Sequence, residues 1–600
     1  MISVLIACSL VLTIHCADLN VSTPVGVIKG VEATINIEGI RYSFKKYLGI
    51  PFAKPPVGDL RWKKPVSYGN LGVTTYEAVA YKNICPQIHL PGEEQVGVED
   101  EDCLYLNIWV PDKTPAPDKA HAVMVFIYGG AFILGSADTY NGEELVNYGN
   151  VILVTLNYRV GPLGFLSTMD ENCPGNFGFW DQRLALEWVN NNIGYFGGDS
   201  GRITIFGESA GAIGVALQSM YPSDSGKIFQ RAICESGVGS VSFINYTRDT
   251  TYMVNAIAER VNCMEKSYAE IITCLRKVSW NKLMAVVMDL NENVTRLEYI
   301  NFDPVLDNDF IKYDPKELKK LSADRNIEEL EFFRSIDFMN GFNQYEGGVS
   351  MQYFTGGDME AFQPTFSDFV ELIPYATFVI GEVPIEVIPL IAHEYTDWTD
   401  PYNYENIRRQ YAHLHGDIQF GFPAVETSLL HAGSSSQDGR SFMFHFLPSP
   451  TNRLPTTPTW LPGADHGDEL AFVFGLQSDA GIKQWELDLS RKMMKYWSNF
   501  AKTGNPNAEG QDLLFWPEYT HSKQECMSFD KTMDNDSVEQ HFYAEKLEFW
   551  TNVFPTTIKA LEGDRTCPPI DGPVNGVGRS VTRTGHAMFV LILLFAYVLY

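Results

Sequence analysis

Nearly uninterrupted apolar runs of strand length recur along this chain, and they restrict its fold more than any other feature. Val123 to Tyr128 (VMVFIY), Val151 to Leu156 (VILVTL) and Ile203 to Phe206 are followed by Ile336 to Met339 and Phe442 to Phe446. A strand with one wet face alternates apolar and polar residues, so continuous apolarity requires cover on both faces. Helix-like stretches such as Asp181 to Asn191 and Leu487 to Lys502 lie between the runs. Strands alternating with helices predict an α/β fold, a large and mostly parallel sheet flanked by helices on both faces. No repeat, low-complexity tract or long linker interrupts residues 20 to about 560, so one large α/β unit is expected, not a string of modules. With 600 residues, 45% of them hydrophobic, the chain can bury a large core.

One strand leads into reactive chemistry. Ile203 to Phe206 runs directly into Gly207-Glu208-Ser209-Ala210-Gly211, and Ala210 to Met220 then reads as a helix. A G-x-S-x-G sequence is common by chance. Between a strand and a helix it describes a strained turn that exposes the serine hydroxyl at the top of the sheet. Glycines two before and two after keep side chains out of that turn. Ser209 is therefore the candidate nucleophile.

A serine hydroxyl needs a base to take its proton and an acid to orient that base. In such folds the chain order is Ser, then Asp or Glu, then His. Of twelve histidines, His15 and His586 lie in removable segments, and His413 and His415 have no other ligand-type residues around them. His466 lies in the short polar loop Gly463-Ala464-Asp465-His466-Gly467, before a helix-like Leu470 to Phe474, and a loop histidine among small residues can reach a sheet-edge site. Glu346 on the Gly-rich loop after Ile336 to Met339 fits the acid, as do other carboxylates. Tyr128-Gly129-Gly130-Ala131-Phe132 follows a strand where a Gly-rich oxyanion loop belongs, so the expected donors are the N–H groups of Gly130, Ala131 and Ala210.

Charge narrows the partners. Acidic residues number 74 against 45 basic, a net charge of −29. That excess repels nucleic-acid phosphates and anionic headgroups, which argues against nucleic-acid binding and electrostatic membrane docking. A neutral or cationic substrate, small molecule or lipid, remains compatible. No C-x-x-C pair or H-E-x-x-H is present, so no metal site is expected.

Both ends read as processing signals. Val4 to Ile14, followed by Cys16 and Ala17, resembles a signal peptide (residues 1–16). Ala587 to Tyr600 is apolar to its end, yet as a helix it would span only about 21 Å of a ~30 Å hydrocarbon core. Small residues at Asn575 and Gly576, a polar spacer and that tail form the pattern of a glycosylphosphatidylinositol (GPI) attachment signal. The expected organisation is one α/β body over 17–560, a polar stem over 561–586 and a tail over 587–600. The protein would be extracellular and tethered to the cell surface, with plain secretion as the alternative and the oligomeric state open. Sequons start at Asn20, Asn245, Asn293 and Asn535. Secretion also suits disulfides. Cys85/Cys103 and Cys263/Cys274 are close enough in sequence to close surface loops, while Cys173, Cys234, Cys526 and Cys567 have no assignable partner.

Further motifs give a resemblance. Glu101-Asp102-Cys103-Leu104-Tyr105-Leu106-Asn107, Asn157-Tyr158-Arg159-Val160-Gly161, the Ser209 elbow and the His466 loop resemble the type-B carboxylesterase/cholinesterase family, from about residue 20 to 555. Tyr128 to Phe132, Asn141-Gly142-Glu143-Glu144 and Arg159 to Ser167 are most similar to its bile-salt-activated lipase branch. The resemblance implies an α/β-hydrolase fold with Ser209 as nucleophile, Glu346 as acid and His466 as base, and no cofactor. It implies Cys85–Cys103 and Cys263–Cys274 disulfides, and Arg61/Glu101 and Arg159/Asp181 as structural ion pairs. Three rivals are a non-catalytic, neuroligin-like adhesion ectodomain, a cholinesterase and a lipase acting at a lipid interface, the last of which stays open. The complete Ser209/Glu346/His466 set speaks against the first. The second is demoted because the Cys85–Cys103 loop has no tryptophan to hold choline.

Overall fold

The computed structural model describes residues 19–564, apart from 38, 90–96, 114–119, 223–227, 293–301, 325, 352–357, 382, 433–438, 455, 477–480 and 509–511. The expected signal segment, the sequon at Asn293, Cys567, the attachment pair Asn575/Gly576 and the apolar tail lie outside the described residues.

The strands among the described residues are β1 (Asn20–Thr23), β2 (Gly26–Lys29), β3 (Val31–Ile37), β4 (Ile40–Pro51), β5 (Tyr76–Glu77), β6 (Tyr105–Pro111) and β7 (His121–Ile127). They continue with β8 (Ile152–Leu156), β9 (Gly198–Glu208), β10 (Arg231–Glu235), β11 (Asp337–Asn343), β12 (Ser441–Phe446), β13 (Cys526–Phe529) and β14 (Val538–Glu539). β1, β2 and β5 form a small sheet, and the other eleven form one sheet in the order β14-β13-β12-β11-β10-β9-β7-β8-β6-β4-β3. From β13 to β8 every neighbouring pair is parallel. The outer strands β6, β4 and β3 on one side, and β14 on the other, run antiparallel.

Composition follows position in this sheet. β7 and β8 are buried at every residue, as their unbroken apolarity requires. β3, at the edge, alternates between half-buried and exposed. The helix Phe177–Asn192, the helix Ala210–Ser219 and the long helix Gln484–Thr503 supply much of the cover. A separate small core, built around Phe369, Ile391, Tyr411 and Trp550, lies under the helical region 366–416 and the C-terminal helices. The last helix among the described residues, Phe554–Asp564, runs across the boundary at 560 expected between body and stem.

Disulfides join Cys85 to Cys103 and Cys263 to Cys274, while Cys173, Cys234 and Cys526 are buried free thiols. The Arg61 guanidinium meets Glu101 through two parallel bonds of 2.6 and 2.5 Å and also donates to the carbonyls of Leu275 and Val278. Arg159 grips Asp181 in the same two-pronged way, at 2.7 and 2.8 Å. Both pairs are buried and join distant segments, so each acts as a clamp within the fold.

Candidate active site

Parallel strands bring their carboxyl ends to one edge of the sheet, where loops can meet. β9 ends there at Glu208, and Ser209 follows with φ 54° and ψ −127° before the helix Ala210–Ser219 begins. For a side-chain-bearing residue this left-handed backbone costs ~1–3 kcal/mol, which the surroundings must hold in place. They do so by close packing. A Cβ on Gly211 would lie 2.0 Å from the Ile127 carbonyl oxygen, and one on Gly207 would lie 2.6 Å from the same atom. The two glycines let the elbow press directly onto the end of β7.

Ser209, Glu346 and His466 come together at this edge. The Ser209 hydroxyl donates to His466 Nε2 at 2.8 Å, and His466 Nδ1–H donates to Glu346 Oε2 at 2.6 Å. Glu346 follows β11 and is buried, and its Oε1 accepts the Ser236 hydroxyl and the Asn343 N–H, both at 2.5 Å. Two donors on one oxygen leave the other aimed at the imidazole. The His466 loop is stitched to the Glu346 loop, because Tyr345 N–H donates to the Ala464 carbonyl and Asp465 Oδ1 accepts N–H from both His466 and Val349. The Phe420 ring packs against the imidazole, tilted by 33° with centroids 4.6 Å apart.

The site is strongly acidic. Glu208 Oε1 lies 3.2 Å from His466 Nε2. Burial works against a charged imidazole, yet the carboxylates of Glu208, Glu346 and Glu469 outweigh it and raise the His466 pKa above the ordinary imidazole value. Glu208 is itself pushed up to about 7 by burial, with His466 pulling it down and Glu346 raising it further. Behind it, burial holds Glu235 at about 8, although Trp497 Nε1–H donates to its Oε1 at 2.7 Å. Glu469, also buried, accepts from Asn343 Nδ2–H.

The expected oxyanion loop passes beside Ser209. A Cβ on Gly129 would come within 2.9 Å of Ser209 Cβ. Gly130, Ala131 and Phe132 all have positive φ, at 103°, 53° and 61°. None of the backbone hydrogen bonds outside helices and strands among the described residues takes up the N–H of Gly130 or Ala131. Ala210 supplies the first N–H of its helix, where the helix dipole favours negative charge.

Ser236 and Glu208 touch the triad-like group and escaped the sequence reading. Glu208 was visible as the second residue of the elbow. Ser236 directly follows β10, a strand whose Arg and Glu ends masked its apolar centre. The structure also contains a decoy. His431 Nδ1 and the Ser441 hydroxyl are 2.6 Å apart, but both are buried near the amino ends of β11 and β12, where no reactant can reach them. His413 and His415 lie in the helix Tyr404–Gly416, one against the Tyr345 ring and the other against Gln419. Of the expected glycosylation sites, Asn20, Asn245 and Asn535 are exposed.

Comparison with known proteins identifies the family of the chain. Residues 17–550 match the model of the carboxylesterase family. The chain is 35% identical to a bile salt-activated lipase of Bos taurus, over 92% of this chain and 90% of that protein. It is 34% identical to carboxylesterase 5A of Canis lupus familiaris, over 91% of each. It is 33% identical to liver carboxylesterase 1F of Rattus norvegicus, over 86% of this chain and 91% of that protein.

Proposed function

The chain belongs to the carboxylesterase family and is a serine carboxylic ester hydrolase, and we propose that it works through Ser209, His466 and Glu346. The observation that carries this reading is the unbroken hydrogen-bond chain from the Ser209 hydroxyl through the imidazole to a buried carboxylate. His466 Nε2 takes the Ser209 proton as Oγ attacks the ester carbonyl. Glu346 holds the proton on Nδ1, keeps the ring in place and stabilises the imidazolium. The carbonyl oxygen, now negative, sits among the N–H groups of Gly130, Ala131 and Ala210. Nε2–H then protonates the departing alkoxide, and an acyl group remains on Ser209. Water, deprotonated by the same nitrogen, releases the acid and restores the hydroxyl.

Phe420 and Phe243, with centroids 5.6 Å apart, form an apolar wall beside His466. That wall suits an ester with a hydrophobic acyl or alcohol group. The two disulfides and the exposed sequons at Asn20, Asn245 and Asn535 support an extracellular glycoprotein, with an N-terminal signal segment and GPI attachment at Asn575 or Gly576 as its route to the cell surface.

The test uses the full chain expressed on animal cells, treated with a fluorophosphonate while p-nitrophenyl ester hydrolysis is followed. One label per chain, on Ser209 and lost with activity in Ser209→Ala, is the expected result. Labelling elsewhere, or full activity in Ser209→Ala, overturns it. Release of activity by phosphatidylinositol-specific phospholipase C reports separately on the anchor.

A further inference from the structure

The loop that carries Gly130 and Ala131 is not self-supporting. Three consecutive positive φ values, two of them at residues with side chains, make it a conformation that a free peptide leaves. Its near end is held by Phe132, buried against Phe165 and Phe179, and by the Gly161 N–H donating to the Phe132 carbonyl at 2.6 Å. The far end is held by a different part of the chain. Ile88 N–H donates to the Ile133 carbonyl at 3.0 Å, and the Gln87 side-chain oxygen accepts the Gly135 N–H at 2.8 Å. Both residues sit on the loop closed by Cys85–Cys103, Gln87 only two positions from the disulfide. Gln87 also reaches back with its Nε2 to the Cys85 carbonyl at 3.3 Å, which fixes its amide plane. One residue pair further on, the Ala137 N–H donates to Asn157 Oδ1, and Asn157 donates to the Asn83 carbonyl just outside the same disulfide.

The tie is short. The Gly130 carbonyl accepts from both Ile133 and Leu134 at 3.0 and 3.1 Å, so 130–134 is a single tight turn. A displacement at Gly135 therefore passes to Gly130 and Ala131 with no slack segment between. Substitution at Gly135 itself is barred, since a Cβ there would meet the Tyr128 ring at 2.5 Å.

We propose that Gln87, held by the Cys85–Cys103 disulfide loop, is a positioning residue that sets the N–H groups of Gly130 and Ala131 toward the Ser209 oxyanion. This rests on the reading of those two N–H groups as oxyanion donors. Gln87 touches neither substrate nor triad and acts through Gly135. Its loss lowers the rate of steps that build negative charge on oxygen and leaves ground-state substrate binding alone.

The experiment compares the full chain with Gln87→Met, which keeps the side-chain volume and removes the oxygen acceptor, and with Gln87→Glu, which keeps an acceptor at the same reach. Readouts are kcat and KM for p-nitrophenyl butyrate and Ki for an aryl trifluoromethyl ketone, which adds the serine oxygen and presents an oxyanion. Gln87→Met is expected to lower kcat by about tenfold with KM within about twofold, as for a misplaced oxyanion donor. Its Ki for the ketone rises by a similar factor, and Gln87→Glu returns both toward the parent values. Unchanged kcat in Gln87→Met, a loss that falls on KM, or equal loss in Met and Glu overturns the role of Gln87. If the ketone fails to bind the parent protein, the oxyanion reading itself falls and this inference with it. If Gln87→Met does not reach the cell surface, Gln87→Glu and Gln87→Asn decide, the shorter Asn being expected to behave as the Met variant.

Discussion

Glu208→Gln is the substitution whose consequence the structure lets one work out most fully. Glu208 Oε1 stands 3.2 Å from His466 Nε2, the nitrogen that takes the proton in the proposed mechanism. Opposite unit charges 4 Å apart attract by ~4 kcal/mol at an effective dielectric near 20, so a fully ionised Glu208 would raise the imidazole by about three pH units. Glu208 is not fully ionised near neutrality, because burial holds its own pKa at about 7. The expected change is therefore smaller, about one to two pH units. A neutral amide no longer stabilises imidazolium, so the His466 pKa falls. Only neutral His466 can accept the Ser209 proton, so activity rises with pH through that pKa, and the acid limb of kcat/KM moves to lower pH in the variant. The assay is kcat/KM for a p-nitrophenyl ester from about pH 5 to 9.5, with parent and variant side by side. A limb that stays in place, or that moves up, refutes the electrostatic reasoning, whatever happens to the plateau.

Other expectations follow from single contacts. Glu235, raised to about 8 by burial, binds a proton in the folded state that the unfolded chain has lost, so its contribution to stability falls as pH rises from about 4.5 to about 8. Glu235→Gln keeps an oxygen for Trp497 Nε1 and should stabilise by on the order of 2–4 kcal/mol at pH 8, with no gain near pH 4.5, as read from urea unfolding at the two values. Gly211→Ala puts a methyl 2.0 Å from the Ile127 carbonyl and should cost ~3 kcal/mol or more, or abolish surface expression; a variant of parental Tm and activity contradicts the packing described. Arg61→Leu leaves Glu101 buried without its partner and should cost ~3–5 kcal/mol in denaturant titration. Asn20→Gln, Asn245→Gln and Asn535→Gln should each remove one glycan, seen as a step on gels before but not after glycosidase treatment.

The buried middle of the sheet was legible because burial on both faces leaves a local mark. The run Val123 to Tyr128 became β7, His121–Ile127, and Val151 to Leu156 became β8, Ile152–Leu156. β3 and β4 were not legible. They form the antiparallel edge, carry lysines and polar residues, and owe their pairing to β6, which lies more than fifty residues further along the chain. The elbow at Ser209 was readable from its own neighbours, since its strain and close packing demand Gly207 and Gly211, two positions to either side. Glu346 was not, and only the family resemblance selected it. What distinguishes it from other acidic loop residues is its environment: Ser236 arrives 110 residues earlier in sequence and His466 120 later. Nothing around Glu346 in the sequence encodes those two neighbours.

That separation has a further consequence. Ser209 and His466 are 257 residues apart, and they meet only after β10 and β11 have aligned between β9 and β12, the strands that lead to them. Contacts of such long range form late, after many loops have closed. A partly folded chain can thus have native helices and an apolar core while its serine remains an ordinary alcohol. Reaction with a fluorophosphonate then counts finished molecules alone. On a refolding or secreting chain it serves as a clock for the last step of assembly, one that circular dichroism or fluorescence would register too early.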